Sequence, residues 1–199
     1  MTTLQIFLPV YEALFLGIAL FWRTYQVWRK TGVNAYRLGR EDNIYGFMAA
    51  LFRLTALGSI LAIGIYSFAL PLYPYLSPIS WLEIPVVTGF GVAACIIALV
   101  WVVMAQSQMG ESWRIGIDSE HETPLVTHGL FQYSRNPIFL GMRINLAGFF
   151  LVLPNALTLA IWLVGDVAIR AQVYLEEEHL RRLHGPIYED YCQRVRRWL

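Results

Sequence analysis

The sequence predicts an all-α integral membrane helical bundle of about five transmembrane helices that ends in a helical hairpin. Of the 199 residues, 57% are hydrophobic and 15% are charged, whereas a soluble domain carries about 25% charged residues. The apolar residues also cluster in runs long enough to cross a bilayer. The scarcity of charged residues excludes a water-soluble monomer and a disordered chain. The net charge of +1 excludes a nucleic-acid-binding protein driven by net charge.

Four apolar runs define the predicted spans. They are residues 4–22, 47–70, 85–105 and 137–169. The last is too long for one crossing, because about 20 apolar residues span a bilayer. The Pro154-Asn155 pair divides it into 137–153 and 156–169. This division predicts a tight helical hairpin whose second arm continues as a polar helix out of the membrane.

The basic residues predict the orientation of the chain. Of the 15 lysines and arginines, 13 fall in the segments 23–45, 106–136 and 170–199. The intervening polar segments contain none. The positive-inside rule then places the N-terminus outside and the C-terminus in the cytosol. Five spans satisfy this rule, whereas four or six would leave one basic segment outside.

Two regions follow from this arrangement. Residues 1–105 are predicted to form three N-terminal membrane spans. Residues 106–199 are predicted to contain the hairpin, the cytosolic C-terminal helix and any chemistry. Glu12 and Arg53 are lone charges in the first two spans, and both are expected to snorkel towards a span end. The cysteines and histidines lack the spacing of metal ligands, so no metal site is predicted.

A first block of unusual residues covers 110–141. Pro137 opens a span, and Asn136 is its predicted N-cap. A helix N-terminus at the membrane surface offers free backbone N–H groups to an anionic group. A capped helix start with no further role explains the same residues.

A second block covers 174–191, where three glutamates, Glu176 to Glu178, directly follow a membrane arm. A solvated helix turn balanced by Arg181 and Arg182 is the simpler interpretation. The alternative is a functional carboxylate at the membrane surface.

Helical spacing predicts contacts within the hairpin. Arg143 and Asp166 are ionisable residues at membrane depth, where each costs about 2.5–3.5 kcal/mol at the centre of a span. We expect them to face the bundle interior and to pair, either as a structural ion pair or as the polar wall of a cofactor cavity. Asp166, Arg170 and Glu177 share one side of the last helix, and Gln172 and Glu176 lie one turn apart on a neighbouring stripe.

The two blocks together carry a set of ordered motifs. These are Gly110 and Trp113; Leu125, Val126, Gly129 and Phe131; Arg135, Asn136, Pro137, Phe139 and Gly141; Glu176 and Glu177; and Gly185, Tyr188 and Tyr191. In this order and spacing they resemble the isoprenylcysteine carboxyl methyltransferase family and, more distantly, the phospholipid N-methyltransferases. These are integral membrane enzymes that use S-adenosylmethionine. The match covers residues 110–199, and the first 100 residues match only as membrane spans.

The resemblance implies a cytosolic S-adenosylmethionine site in the C-terminal segment. Its implied cofactor-binding residues are Thr123, Pro124, Leu125, Val126, Phe131, Asn136, Pro137, Phe139 and Glu176. The implied catalytic residues are Arg135, Arg143 and Glu177. Arg135 or Arg143 would hold a carboxylate acceptor, and Glu176 or Glu177 would take a proton from an amine acceptor. Arg170 and Gln172 are the implied substrate-binding residues, Gln172 standing where the protein-methylating members carry an arginine.

The implied function is methyl transfer from S-adenosylmethionine to a lipophilic acceptor at the cytosolic membrane face, by carboxyl O-methylation. The acceptor would be isoprenylcysteine-like, prenylated or another lipid, and it would enter from the bilayer. Three alternatives stay open: a phospholipid N-methyltransferase, an NADPH-dependent membrane enzyme of the sterol-reductase type, and a non-catalytic membrane scaffold. Membrane lipids are expected partners, nucleic acids are not, and the sequence predicts no oligomeric state.

Overall fold

The described part of the chain folds into six α-helices joined by short turns and 3-10 segments. A computed structural model describes residues 2–32, 42–116 and 123–199. The helices are α1 (Thr3–Thr31), α2 (Ile44–Phe68), α3 (Pro85–Met109), α4 (Pro137–Val152), α5 (Ala156–His184) and α6 (Pro186–Arg194). Within α1, the stretch Gly17–Trp22 is π-helical. No β-strand occurs among these residues. The predicted all-α fold class is therefore confirmed.

Local sequence sets where the helices begin and end. Asn43 caps α2 by accepting hydrogen bonds from the backbone N–H groups of Tyr45 and Gly46, both at 3.0 Å. The helices α3, α4 and α6 each begin with a proline, whose missing N–H is not needed there. Gly32 ends α1 with a positive φ of 70°.

Four of the helices are long and apolar enough to cross a membrane: α1, α2, α3 with its 3-10 extension, and α5. The remaining apolar helix, α4, has 16 residues. It is about 24 Å long, somewhat less than the roughly 30 Å of a hydrocarbon core. The chain is an integral membrane protein. That all five helices cross the bilayer stays a prediction.

The predicted hairpin is confirmed, with α4 and α5 meeting at Pro154 and Asn155. Asn155 is buried, and its side chain accepts a hydrogen bond from the backbone N–H of Thr158 at 3.0 Å. The backbone N–H of Ile79 donates to Pro154 at 2.7 Å, and that of Ala156 donates to Ser77 at 3.2 Å. The loop before α3 therefore holds the hairpin turn in place.

Glycines allow α3 and α4 to approach closely, and these two helices form the most extensive helix pair of the bundle. A methyl group on Gly91 would lie 2.8 Å from both the carbonyl oxygen of Gly148 and the backbone nitrogen of Val152. One on Gly148 would lie 3.0 Å from the sulfur of Cys95. Small residues at such a crossing let helix backbones touch inside a membrane.

We expect Gly91→Ala to lower the free energy of unfolding by about 1–3 kcal/mol, because backbone atoms of α4 would have to move. Gly89→Ala is the matched control, since a methyl group there meets nothing within 4 Å. It should be neutral or stabilise by up to ~1 kcal/mol. Thermal unfolding in detergent measures both, and equal midpoints for the two variants would contradict the close crossing.

Candidate functional site

A cavity of about 300 Å³ lies inside the bundle and is lined by residues of α1 to α5. We call it the inner cavity. Three of the implied cofactor- and substrate-binding residues line it: Phe139, Gln172 and Glu176. Trp113 and Arg114, which follow α3, line it as well. Its walls bring together the first block, the second block and the N-terminal spans.

Glu176 supplies a carboxylate to one end of the inner cavity. The side-chain amide of Gln172 donates a hydrogen bond to it at 3.0 Å. The predicted one-turn spacing of these two residues is thus confirmed, and the structure adds the hydrogen bond between them. The amide fixes the direction of this acidic side chain in a cavity that the aromatic rings of Phe139 and Trp113 also line.

The other end of the cavity is polar too, which the sequence motifs did not indicate. Ser59 of α2 donates a hydrogen bond to the carboxylate of Glu12 at 2.6 Å. Nearby, the hydroxyl of Tyr11 donates to the carbonyl of Cys95 at 2.7 Å and lies 2.5 Å from the side-chain oxygen of Asn145. The expectation that Glu12 snorkels is wrong, because its side chain turns into the cavity and meets Ser59.

The two polar ends lie far apart. Gly58, next to Ser59, packs against Ile161 of α5. Fifteen residues of α5 separate Ile161 from Glu176, which is about 22 Å along the helix. Between the ends the walls include the apolar side chains Phe15, Leu146 and Ile169, and the lining also contains the polar residues Arg53 and Gln106. The cavity is therefore an elongated, mainly apolar channel with an acidic side chain at each end.

Glu177, the residue after Glu176, makes a different set of contacts. Its side chain is 1% exposed and accepts hydrogen bonds from Arg135 at 3.1 Å, Arg197 at 2.9 Å and Asn136 at 3.1 Å. We call these four residues the clasp. The carboxylate holds the pKa of Arg197 above its usual range. The clasp joins α5, the start of α4 and the C-terminal tail.

Backbone contacts complete the attachment of the tail. The guanidinium of Arg135 also donates to the carbonyls of Val195 at 2.7 Å and Cys192 at 3.2 Å. Its own backbone N–H donates to Arg196 at 2.9 Å. With these bonds made, Arg135 and Glu177 position the chain segments around the cavity and do not line it.

Asn136 occupies the N-cap position of α4, as predicted, but its side chain forms no capping hydrogen bond. It points to the clasp instead and donates to Glu177 and, at 3.3 Å, to the carbonyl of Arg197. The capping prediction is wrong in this respect, because the side chain turns its amide N–H donors to the clasp and its oxygen accepts no hydrogen bond from the first backbone N–H groups of α4. Pro137 accepts a hydrogen bond from the indole of Trp101 at 2.9 Å.

The remaining implied cofactor residues do not line the inner cavity. Phe131 is buried, and its carbonyl accepts a hydrogen bond from Tyr191 at 2.6 Å. Burial raises the pKa of Tyr191 to about 12, so its hydroxyl keeps the proton that it donates. In the segment 123–126, which contains Thr123, Leu125 and Val126, the carbonyl of Pro124 accepts a hydrogen bond from Ser112 at 3.3 Å.

Arg143 and Asp166 form the predicted ion pair, with 2.5 Å between Nε and Oδ1. The expectation that they face the bundle interior is wrong. Both line a second groove between α4 and α5, together with Arg170, and that groove shares no residue with the inner cavity. The side chain of Arg143 turns outward to stack on Trp198 of the C-terminal tail, 4.5 Å from its ring centre.

Comparisons with known proteins agree with these features. A family model described as phospholipid methyltransferase matches residues 86–187, more than half of the chain. The protein-S-isoprenylcysteine O-methyltransferase of Tribolium castaneum is 29% identical over 130 residues, which cover 62% of this chain and 43% of that protein. The chain thus spans less than half the length of this curated relative.

The fold resembles that of a solved structure, the eukaryotic intramembrane Ras methyltransferase ICMT (isoprenylcysteine carboxyl methyltransferase). The TM-score is 0.56 at 22% identity, and the match covers 95% of this chain and 72% of that one. The family model therefore confirms the resemblance to phospholipid methyltransferases that the sequence motifs implied, and the solved structure confirms the fold.

We expect Glu177→Gln to destabilise the protein by about 3 kcal/mol, because Arg135 and Arg197 would lose a buried counter-charge. Glu178→Gln is the matched control: Glu178 is 62% exposed and pairs with Arg182 at 3.2 Å, so its loss should cost less than about 1 kcal/mol. Thermal unfolding and tryptic cleavage of the tail arginines measure the effects. Equal cleavage rates in the two variants would contradict the clasp.

Proposed function

Because the chain belongs to the phospholipid methyltransferase family, we propose that it transfers a methyl group from S-adenosylmethionine to a lipophilic acceptor within the membrane. The observation that carries the proposal is the elongated inner cavity with Glu176 at one end. Its volume of about 300 Å³ lies at the lower edge of the range for small-molecule sites.

The residues at the Glu176 end fit the chemistry of this cofactor. When bound, S-adenosylmethionine supplies an electrophilic methyl group on a sulfonium cation. The carboxylate of Glu176 and the aromatic faces of Phe139 and Trp113 attract a cation in an apolar site. Gln172 fixes the direction of that carboxylate through its 3.0 Å hydrogen bond.

The neighbouring segments would close the cofactor site. Residues 123–126 follow the cavity-lining Trp113 and Arg114 in the chain and are tied to Ser112. Phe131, Asn136 and Pro137 are held by hydrogen bonds to Tyr191, the clasp and Trp101. We assign Phe131, Asn136 and Pro137 a positioning role, since each is anchored by the surrounding structure.

The acceptor would occupy the apolar stretch of the cavity. Its reacting group would lie towards Glu176, and its hydrocarbon part would pass Phe15, Leu146 and Ile169 in the direction of Glu12. An apolar, dry channel suits an in-line displacement, because alignment of the reacting atoms can supply about 7–11 kcal/mol of the barrier reduction.

The nature of the nucleophile decides which side chains act. A carboxylate acceptor is already ionised and needs a cation to hold it. Arg53 and Arg114 line the inner cavity, whereas Arg135 is bound in the clasp and Arg143 lies in the second groove. An amine acceptor would need a proton acceptor, and Glu176 is placed for that role. We favour the carboxylate because two arginines line this cavity.

In the membrane, the Glu176 end of the cavity would face the cytosol. The basic segments that flank it favour this orientation under the positive-inside rule. The N-terminus would then lie outside, and the Glu12 end would lie within the bilayer.

We expect the detergent-purified protein to bind S-adenosylmethionine, and Glu176→Gln to weaken that binding at least tenfold through loss of a charge-assisted contact. Glu178→Gln should bind like the wild type, because Glu178 is exposed on another face of α5. Isothermal titration calorimetry measures the affinities. A folded wild type that takes up no S-adenosylmethionine would refute the proposed function.

We expect Glu12→Gln to separate cofactor binding from methyl transfer. The variant should keep the wild-type affinity for S-adenosylmethionine but lose about tenfold in transfer of labelled methyl groups to membrane-lipid and prenylated-thiol extracts, since the new amide would place unpaired N–H donors against the hydrocarbon part of the acceptor. The Glu178→Gln variant again serves as control. Equal transfer by Glu12→Gln and wild type would show that the acceptor does not reach Glu12.

A further inference from the structure

The second groove lies on the outer side of the hairpin and has a volume of about 420 Å³. Its lining residues are Leu140, Arg143, Ile144 and Ala147 of α4 and Trp162, Leu163, Asp166 and Arg170 of α5. On α4, these residues point away from Met142, Asn145 and Phe149, which line the inner cavity. The groove therefore opens where the hairpin meets lipid, separate from the proposed methyl-transfer site.

Three charged side chains give the groove a net positive charge. The carboxylate of Asp166 accepts hydrogen bonds from Nε–H of Arg143 at 2.5 Å and from Nε–H of Arg170 at 2.7 Å. A guanidinium carries five N–H donors. Within the described residues, the hydrogen bonds of both arginines in this cluster use Nε, so their terminal amino groups are available to an anion. Two cations and one anion leave a charge of +1.

The charged and apolar parts of the groove lie at different depths. Arg143 is the seventh residue of α4, about 9 Å from the start of that helix. Ile144, Ala147, Trp162 and Leu163 lie further towards the hairpin turn. A cationic end near the membrane surface, followed by an apolar trough, matches an amphiphile with an anionic headgroup.

We propose that this groove binds an anionic phospholipid, with its phosphate on Arg143 and Arg170 and one acyl chain along Ala147, Trp162 and Leu163. Guanidinium groups bind phosphate oxygens in bidentate fashion, and basic pockets between transmembrane helices on the cytosolic side select anionic headgroups. Neither the phosphate contact nor the acyl-chain contact involves the methyl donor, so this lipid site stands independently of the proposed function.

Bound lipid would also reinforce the clasp. The guanidinium of Arg143 stacks on Trp198 at 4.5 Å, and the adjacent Arg197 binds Glu177 at 2.9 Å. A lipid phosphate that fixes Arg143 therefore also fixes the ring on which it stacks. The C-terminal tail should become harder to detach when the groove is filled.

The test compares thermal unfolding of the purified protein in detergent with added dioleoylphosphatidylglycerol, dioleoylphosphatidylcholine or inorganic phosphate. We expect phosphatidylglycerol to raise the unfolding midpoint at an at least tenfold lower concentration than phosphatidylcholine. The double variant Arg143→Gln/Arg170→Gln should lose this preference. Arg182→Gln, whose side chain is 66% exposed and pairs with Glu178, should keep it.

Native mass spectrometry of the wild type gives a second readout that needs no variant. The protein should retain phosphatidylglycerol in preference to phosphatidylcholine, and 0.5 M salt present during lipid loading should reduce that preference. Equal retention of the two lipids, or an unchanged preference in the double variant, would overturn the proposal. Equal protection by inorganic phosphate would also overturn it, because it would show an anion site without a role for the apolar groove.

Discussion

The arrangement of the C-terminal half depends on the ion pairs that the buried carboxylate of Glu177 forms with Arg135 and Arg197. An unpaired charge in such surroundings costs several kcal/mol, and here Arg135, Arg197 and Asn136 compensate it. Arg135 and Asn136 directly precede Pro137, where α4 begins, and Arg197 lies two residues from the end of the chain. One carboxylate thus fixes the start of α4, the position of α5 and the path of the tail.

Three consecutive glutamates on one helix meet three different surroundings because successive residues are rotated by about 100°. Glu176 faces the inner cavity, Glu177 is enclosed by the clasp, and Glu178 is exposed. The rigidity that the clasp gives to α5 also fixes the direction of Glu176. A site that must align a donor and an acceptor benefits from this coupling, since small displacements of the reacting groups reduce rates strongly.

Much of the fold follows from patterns within single helices. Apolar runs, prolines and the Pro154-Asn155 pair predicted the helices and the hairpin turn. Helical spacing predicted that Gln172 and Glu176 are neighbours, and the cost of a charge at membrane depth predicted the pair Arg143–Asp166. Packing between helices could not be predicted in this way, because periodicity within one helix does not show which of its faces meets a neighbour. Glu12 and Ser59 are 47 residues apart, and only the packing of α1 against α2 brings them together. The outward direction of Arg143 depends likewise on the position of Trp198.

The central claim is that the inner cavity, and not the groove around Arg143, receives the methyl donor. An experimental structure of the full chain with S-adenosylhomocysteine, the demethylated product, tests it most directly. The account predicts that the ligand lies against Glu176 and Phe139, with Glu177 still enclosed by Arg135 and Arg197. A ligand bound between Arg143 and Arg170, or a Glu177 carboxylate turned out of the clasp to contact the ligand, would contradict it.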